Sequence, residues 1–156
     1  MRVFLDLKGS VVEETLKRHL ESRMKQVQAG AFDVAHRGAA EAVRITKVEN
    51  AIDLGEYVRG FQVVKVQNGV ELRNDAPHAI YVEMGRRPMR PGPPYAPIAA
   101  WAQRKLGITD THRIWAIRNA IHVRGIRPKF IMRRTFRQMQ GWFKDEMIRR
   151  LRVPLP

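Results

Sequence analysis

The sequence predicts an α+β domain: a long amphipathic helix, a short antiparallel hairpin, and then a basic run of helices. Three observations carry that reading. Apolar residues recur at helical spacing from Val12 to Ile45. Phe61–Val66 and residues 70–73 are alternating, β-branched runs on either side of Asn68-Gly69, a pair suited to the left-handed positions of a tight hairpin turn. Beyond residue 96, helical stripes follow one another with no further strand signal.

With 156 residues the chain is expected to form a single domain, 1–156, long enough for one core. Its 44% hydrophobic and 28% charged content is a globular balance. The absence of cysteine excludes a disulfide framework and thiolate zinc sites, and fits a reducing compartment. Asp6 and Lys8 interrupt the first apolar run, so the start does not read as a signal peptide. The longest uncharged run, residues 91–103, is too short and too proline-rich to span a bilayer, and no membrane contact is expected.

Taken in order, residues 3–7 are a strand candidate ended by Gly9. Ser10 and Glu13 have the spacing of a capping box. The stripe Val12, Leu16, Leu20, Met24, Val27, Ala31, Val34, Gly38, Ala42, Ile45 should face a core. A straight helix over residues 10–47 would be roughly 57 Å long, so a bend or break at residues 28–30 is expected. Ala35, Gly38, Ala39 and Ala42 allow close packing against a sheet or a neighbouring subunit. Glu49-Asn50 closes the helix, and a loop with a short turn through Tyr57 and Arg59 leads to Gly60. After the hairpin, Asn74 and Asp75 end the second strand, and residues 79–84 suit a helical turn or a strand equally.

Gly85 then marks a sharp turn, and residues 86–94 hold three arginines and four prolines. Proline fixes φ and moves its preceding neighbour out of the helical region, so this is neither helix nor central strand. Residues 86–96 read as an arm between a first part, 1–85, and a basic helical part, 97–156. Pro97 suits the first turn of a helix to Leu106, with Gly107 past its end and Ile98, Trp101, Ala102 and Leu106 on its apolar side. Thr109 or Asp110 can cap the next helix, which buries Ile114, Ile117 and Ile121 and stops at Gly125. Arg127-Pro128 is extended. The last helix, residues 132–151, carries the stripe Met132, Phe136, Met139, Phe143, Met147, Leu151, with Lys144 and several arginines on its other faces. No internal repeat stands out.

Charge is the strongest functional signal. Residues 1–85 hold 12 basic and 12 acidic side chains, and residues 86–156 hold 17 and 3, so the whole excess of +14 lies beyond Gly85. That asymmetry suggests a polyanionic partner, with a merely solvated basic face as the bland alternative. Trp101, Trp115 and Trp142 among the arginines would suit base stacking, although core positions are the commoner reading. The sign of the partner is specified, and its identity, acidic protein or nucleic acid, stays open. The five histidines show no ligand spacing, and there is no phosphate loop or nucleophile elbow. No catalytic residue, metal or cofactor is expected.

One ordered set of motifs adds to this. Ile52-Asp53-Leu54-Gly55, the hairpin, Ala79, Tyr81-Val82-Glu83-Met84-Gly85 and the arginine/proline loop resemble the tail-component family of long-tailed bacteriophages. Its members are tail-completion, neck or minor tail proteins, including relatives of the lambda-type Z protein. The helix after Pro97 and the Gly125-Ile126-Arg127-Pro128 segment resemble the family's C-terminal part, so the likeness runs from about residue 5 to residue 151. The chain departs from the pattern at Arg86, where relatives often have a small hydroxyl residue, and at Leu54, where they often have threonine. The resemblance implies a non-enzymatic virion protein at the neck or proximal end of the tail, assembled in the host cytoplasm. It implies a ring, six-fold favoured and twelve-fold second, that meets connector, neck and tail-terminator proteins and surrounds channel DNA. On this reading Tyr81, Glu83, Gly85, Arg86, Arg87, Arg90 and Tyr95 form the subunit interface, with Tyr81 an apolar anchor and Glu83 paired to Arg86 or Arg87, either within the chain or on the next subunit. Arg127, Arg133, Arg134, Arg137, Arg149 and Arg150 form a basic face toward an acidic ring or DNA. The alternative is a basic nucleic-acid-binding module.

Overall fold

Helix α1 (Val11–Val48) runs unbroken for 38 residues in the computed structural model, which describes residues 11–51, 53–67, 69–89 and 91–152. The expected strand at 3–7, Ser10 of the capping box and Arg90 lie outside those residues. The bend anticipated at residues 28–30 is absent. Gly30 does not break the helix because it is a contact surface: Met147 and Arg150 lie directly over it. Gly38 likewise sits under Met139. Glycine costs a helix about 1 kcal/mol relative to alanine, and here it admits a second helix at close range.

That second helix is α6 (Ile131–Arg152). It runs antiparallel to α1, with Arg134 beside Glu49, Met139 over Gly38 and Met147 over Gly30. Val34, Ala35, Ala42, Ile45 and Ile131 are buried with the fully buried Thr46 and Thr135. Each threonine hydroxyl donates to a carbonyl one turn back in its own helix, Thr46 to Ala42 (2.7 Å) and Thr135 to Ile131 (2.9 Å), so neither is left unpaired. Asn50 ends α1 with φ at 50°, and the N–H groups of Asn50 and Ala51 return to the carbonyls of Lys47 and Thr46. This is a Schellman closure with asparagine in the usual glycine position.

Both predicted stripes are covered only in part. Leu16, Leu20 and Met24 are 58–59% exposed, because α6 ends beside Arg23 and the first turns of α1 overhang it. On α6, Met139 and Met147 face α1, whereas Phe136, Phe143 and Leu151 are exposed. The apolar face of α6 is wider than the strip α1 can cover.

Between these helices come α2 (Glu56–Arg59), β1 (Phe61–Val66), β2 (Gly69–Asn74) and α3 (Ala79–Met84). The strands form a two-stranded antiparallel sheet packed on α1. Val66 pairs directly with Gly69, so that glycine belongs to the strand and not to the turn, contrary to the Asn68-Gly69 reading. The register is fixed at the open end. Asn74 Nδ2 donates to the Tyr57 carbonyl at 2.8 Å, Asn74 Oδ1 accepts from Ala76 N at 3.0 Å, and Asp75 N donates to Gly60. Phe61, Val63, Val70 and Leu72 consequently share one face of the sheet. Tyr57 stands edge-on to Phe61 at 5.2 Å and joins Ala42, Ile45, Ala76 and Ile131 in the core. Burial, with the Glu83 charge second, pushes its phenol up to about 12.

Helices α4 (Tyr95–Leu106) and α5 (Thr111–Arg124) form a hairpin of their own. Gly107 ends α4 in the left-handed region, and Asp110, the second of the two predicted candidates, caps α5 by accepting from Arg113 N at 2.9 Å. Ala102 and Ile114 are buried, but Leu106, expected on the apolar side, is exposed. Arg104 ties this hairpin to the loop after α1 through Asp53.

The two-helix seam also holds an ionic patch. Glu146 bridges Arg149 and Arg150, and Arg150 reaches Asp33 of α1. The hydrogen bonds from Arg149 and Arg150 hold the Glu146 carboxyl at about 2, against an ordinary 4.5. Glu49 is lowered by Arg134 and Asp53 by Arg104. Depressed folded-state values add stability that is complete above pH 4.5 and lost as pH falls toward 2. The melting temperature should therefore hold steady from neutrality to about pH 5 and fall below it. A Glu146→Gln variant followed by circular dichroism should show a shallower acid limb; an acid limb identical to the parent's would contradict this assignment.

Candidate functional site

The family-like residues of α3 and the basic half meet at one place, a clamp between the end of α3 and the start of α6. The segment before α6, Pro128-Lys129-Phe130, offers no serine, threonine, aspartate or asparagine to cap the helix. Glu83 supplies the missing acceptor from a distance of 49 residues in sequence. Its carboxylate accepts from Met132 N at 2.8 Å and Arg133 N at 3.0 Å. These are two of the orphan donors of the first turn, and the negative charge also meets the positive end of the helix dipole. The backbone follows suit: Lys129 N donates to the Val82 carbonyl at 3.0 Å and Phe130 N to the Glu83 carbonyl at 3.2 Å. Phe130 adopts φ 49° to make the entry. Glu83 is thus occupied within the chain and does not pair with Arg86 or Arg87.

Two glycines complete the clamp. Gly85 ends α3 at φ 68°, ψ −161°, and Gly125 ends α5 at φ 73°, ψ −163°. That region of backbone space is essentially closed to residues with a Cβ. A Cβ at Gly85 would overlap the Ile126 carbonyl, and one at Gly125 the Arg86 carbonyl. Between them Arg86 and Ile126 exchange both backbone hydrogen bonds, at 2.8 and 2.9 Å. The two segments are Gly85-Arg86-Arg87-Pro88 and Gly125-Ile126-Arg127-Pro128, one Gly-x-Arg-Pro pattern used twice and paired with itself. This short repeat escaped the sequence reading because four residues give no periodic signal.

The proline stretch does not project as an arm. Met89 N donates to the His122 carbonyl at 2.8 Å, and Arg118 Nε donates to the Pro93 carbonyl at 2.8 Å while lying against Gly92. Proline removes donors but leaves its carbonyls free to accept, so α5 holds the segment through the Pro93 carbonyl and the one N–H that Met89 still offers. Tyr95 stacks obliquely on Trp115 at 5.2 Å and belongs to this packing. Tyr81 is 52% exposed, with Ile80 and Met84 beside it on α3. Arg87 is exposed, and Arg86 is half-buried with its Nε finding no acceptor among the described residues.

The expected basic face divides. Arg134 is taken by Glu49, Arg149 by Glu146, and Arg150 by Glu146 and Asp33. Those three serve the fold rather than a polyanion. Arg127, Arg133 and Arg137 are exposed, and Arg133 lies over the Phe130 ring at 4.3 Å. The tryptophans are not core residues either: Trp115 is 48% exposed, and the half-buried Trp142 carries Arg37 over its ring at 3.9 Å. A cleft lined by Asp53, Glu56, Tyr57, His78, Trp101 and Arg104 opens beside the loop after α1. Its carboxylate Asp53 is held low by Arg104, which makes it a lasting anion rather than a proton carrier. Among the described residues no cluster of potential metal ligands occurs, and no helix is long and apolar enough to cross a membrane.

Compared with known protein families, curated proteins and solved structures, the chain matches none.

Alanine at Gly85 or Gly125 should cost about 3 kcal/mol or more, because both forbidden backbone geometry and overlap with a carbonyl oppose it. Glu83→Ala should cost about 1–2 kcal/mol through the lost cap. Urea unfolding of the three variants checks the order; a glycine variant as stable as the parent would remove the clamp from the account.

Proposed function

We propose that this chain is a structural subunit of the head–tail junction of a long-tailed bacteriophage, a neck or tail-completion protein that assembles into a ring. The observation that carries the reading is apolar surface left without cover on the longest elements. Leu16, Leu20 and Met24 on the overhang of α1 and Phe136, Phe143 and Leu151 on α6 are 41–59% exposed. Among the described residues nine apolar ones form the buried core. Apolar surface presented in this way is characteristic of chains that finish folding against a partner.

The ordered resemblance at Asp53, Tyr81, Glu83 and Gly85 supplies the kind of partner. In this reading Glu83 and Gly85 serve the subunit's own fold, and Tyr81 with Ile80 and Met84 offers the contact to the next subunit. A head-to-tail contact that closes gives a cyclic ring, six-fold favoured. The ring joins the tail to the capsid connector within the virion, meets connector, neck and tail-terminator proteins, and does no chemistry. Arg127, Arg133 and Arg137, the members of the basic face that form no ion pair among the described residues, face an acidic ring or the channel DNA.

Sizing the purified protein by light scattering, alone and mixed with connector and tail proteins, tests this. A closed ring, or incorporation into one on mixing, is expected. A monomer at every concentration that binds none of them contradicts the proposal. Leu20→Asp combined with Phe143→Asp should leave a folded monomer, stable to within about 0.5 kcal/mol per site, since both side chains are exposed. Unchanged assembly by that variant would move the interface elsewhere.

A further inference from the structure

We infer that the paired Gly-x-Arg-Pro segments form a phosphate clamp, with Arg87 and Arg127 holding neighbouring phosphates of a nucleic-acid backbone. The bridge between Arg86 and Ile126 fixes the two segments antiparallel. Pro88 and Pro128 keep Arg87 and Arg127 out of the helical region. One step past the bridge pair, the alternation of an extended chain turns both arginines to the face opposite Arg86 and Ile126. Arg87 and Arg127 are exposed, and neither makes an ion pair among the described residues.

Among the described residues no carboxylate is ion-paired to either of them. Beyond Gly85 the acids are Asp110, Asp145 and Glu146, and Asp110 and Glu146 are committed to a helix cap and to Arg149 and Arg150. Glu83, the carboxylate of the clamp, is directed at the first turn of α6, where it accepts from two backbone N–H groups. The arginines stand on a diagonal of the antiparallel pair, about 7–8 Å apart at the backbone. That spacing suits two successive anions rather than one shared anion. Apart from the half-buried Arg86, the other residues of the two paired segments are proline, glycine and isoleucine, which cannot read base edges. The clamp therefore grips a repeating phosphodiester chain without sequence preference. Glutamate-rich peptides carry the same sign of charge without that fixed repeat. The contact belongs to the folded chain, so it holds for a free monomer as for a ring subunit.

Fluorescence anisotropy with a labelled mixed-sequence DNA duplex over a salt series tests the clamp. Arg87→Gln with Arg127→Gln should reduce the slope of log affinity against log salt by about 2, since each phosphate contact contributes about 0.9. The loss should be equal for two unrelated sequences. The control Lys105→Gln with Arg113→Gln, which removes two exposed cations elsewhere, should leave the slope unchanged. Either single arginine variant, expected to lower the slope by about 1, serves if circular dichroism shows the double variant unfolded. An unchanged slope in the clamp variants overturns the proposal. So does an equal loss in the control, absence of duplex binding by the parent at low salt, or easier displacement by polyglutamate than by unlabelled duplex at matched charge.

Discussion

The carboxylate of Glu83 at the first turn of α6 is the contact on which the rest depends. A helix that begins after Pro128-Lys129-Phe130 has no local group to satisfy its leading N–H donors. One acid at the end of α3 satisfies two of them and fixes where α6 starts. With that origin set, Met139 and Met147 fall over Gly38 and Gly30. The same contact brings the ends of α3 and α5 together, so Gly85 and Gly125 must both be glycine. A local capping interaction has become a long-range one, and it joins the charge-balanced part of the chain to the basic part.

The basic half looks different once its internal pairs are removed. In sequence its arginines form one undivided excess. In three dimensions acids of the first half reach across and neutralise some of them: Asp33 meets Arg150, Glu49 meets Arg134, and Asp53 meets Arg104. These cross-pairs act as fasteners between the two parts. Around the clamp, Arg87, Arg127 and Arg133 form no ion pair among the described residues. Apolar surface divides in the same way, with the middle of α1 used internally and Leu16, Leu20 and Met24 on its overhang exposed.

Elements governed by local rules were legible in the sequence. The helical periods, the two hairpin strands, a cap at Thr109 or Asp110 and glycine past the ends of α4 and α5 all followed from residue type and spacing. The α+β class followed from the same signals. What escaped was set by contacts distant in sequence. Gly30 reads as a breaker until Met147 is known to lie on it. Glu83 reads as half of a neighbouring ion pair, yet its partners are backbone donors 49 and 50 residues away. The proline segment reads as a free arm, because nothing local says that Met89 N donates to the His122 carbonyl of α5 and that the Pro93 carbonyl accepts from Arg118. The missing cap ahead of α6 was the one available clue, and it points to a remote acid without saying which.

Amide hydrogen exchange at Met132 and Arg133 tests the central contact most directly. These N–H groups lie in the first turn of a helix, where exchange is ordinarily fast because no intrahelical acceptor exists. If Glu83 holds them as described, they should be protected as strongly as the buried amides in the middle of α1. Exchange at the rate of an unstructured peptide, with α1 still protected, would contradict the account.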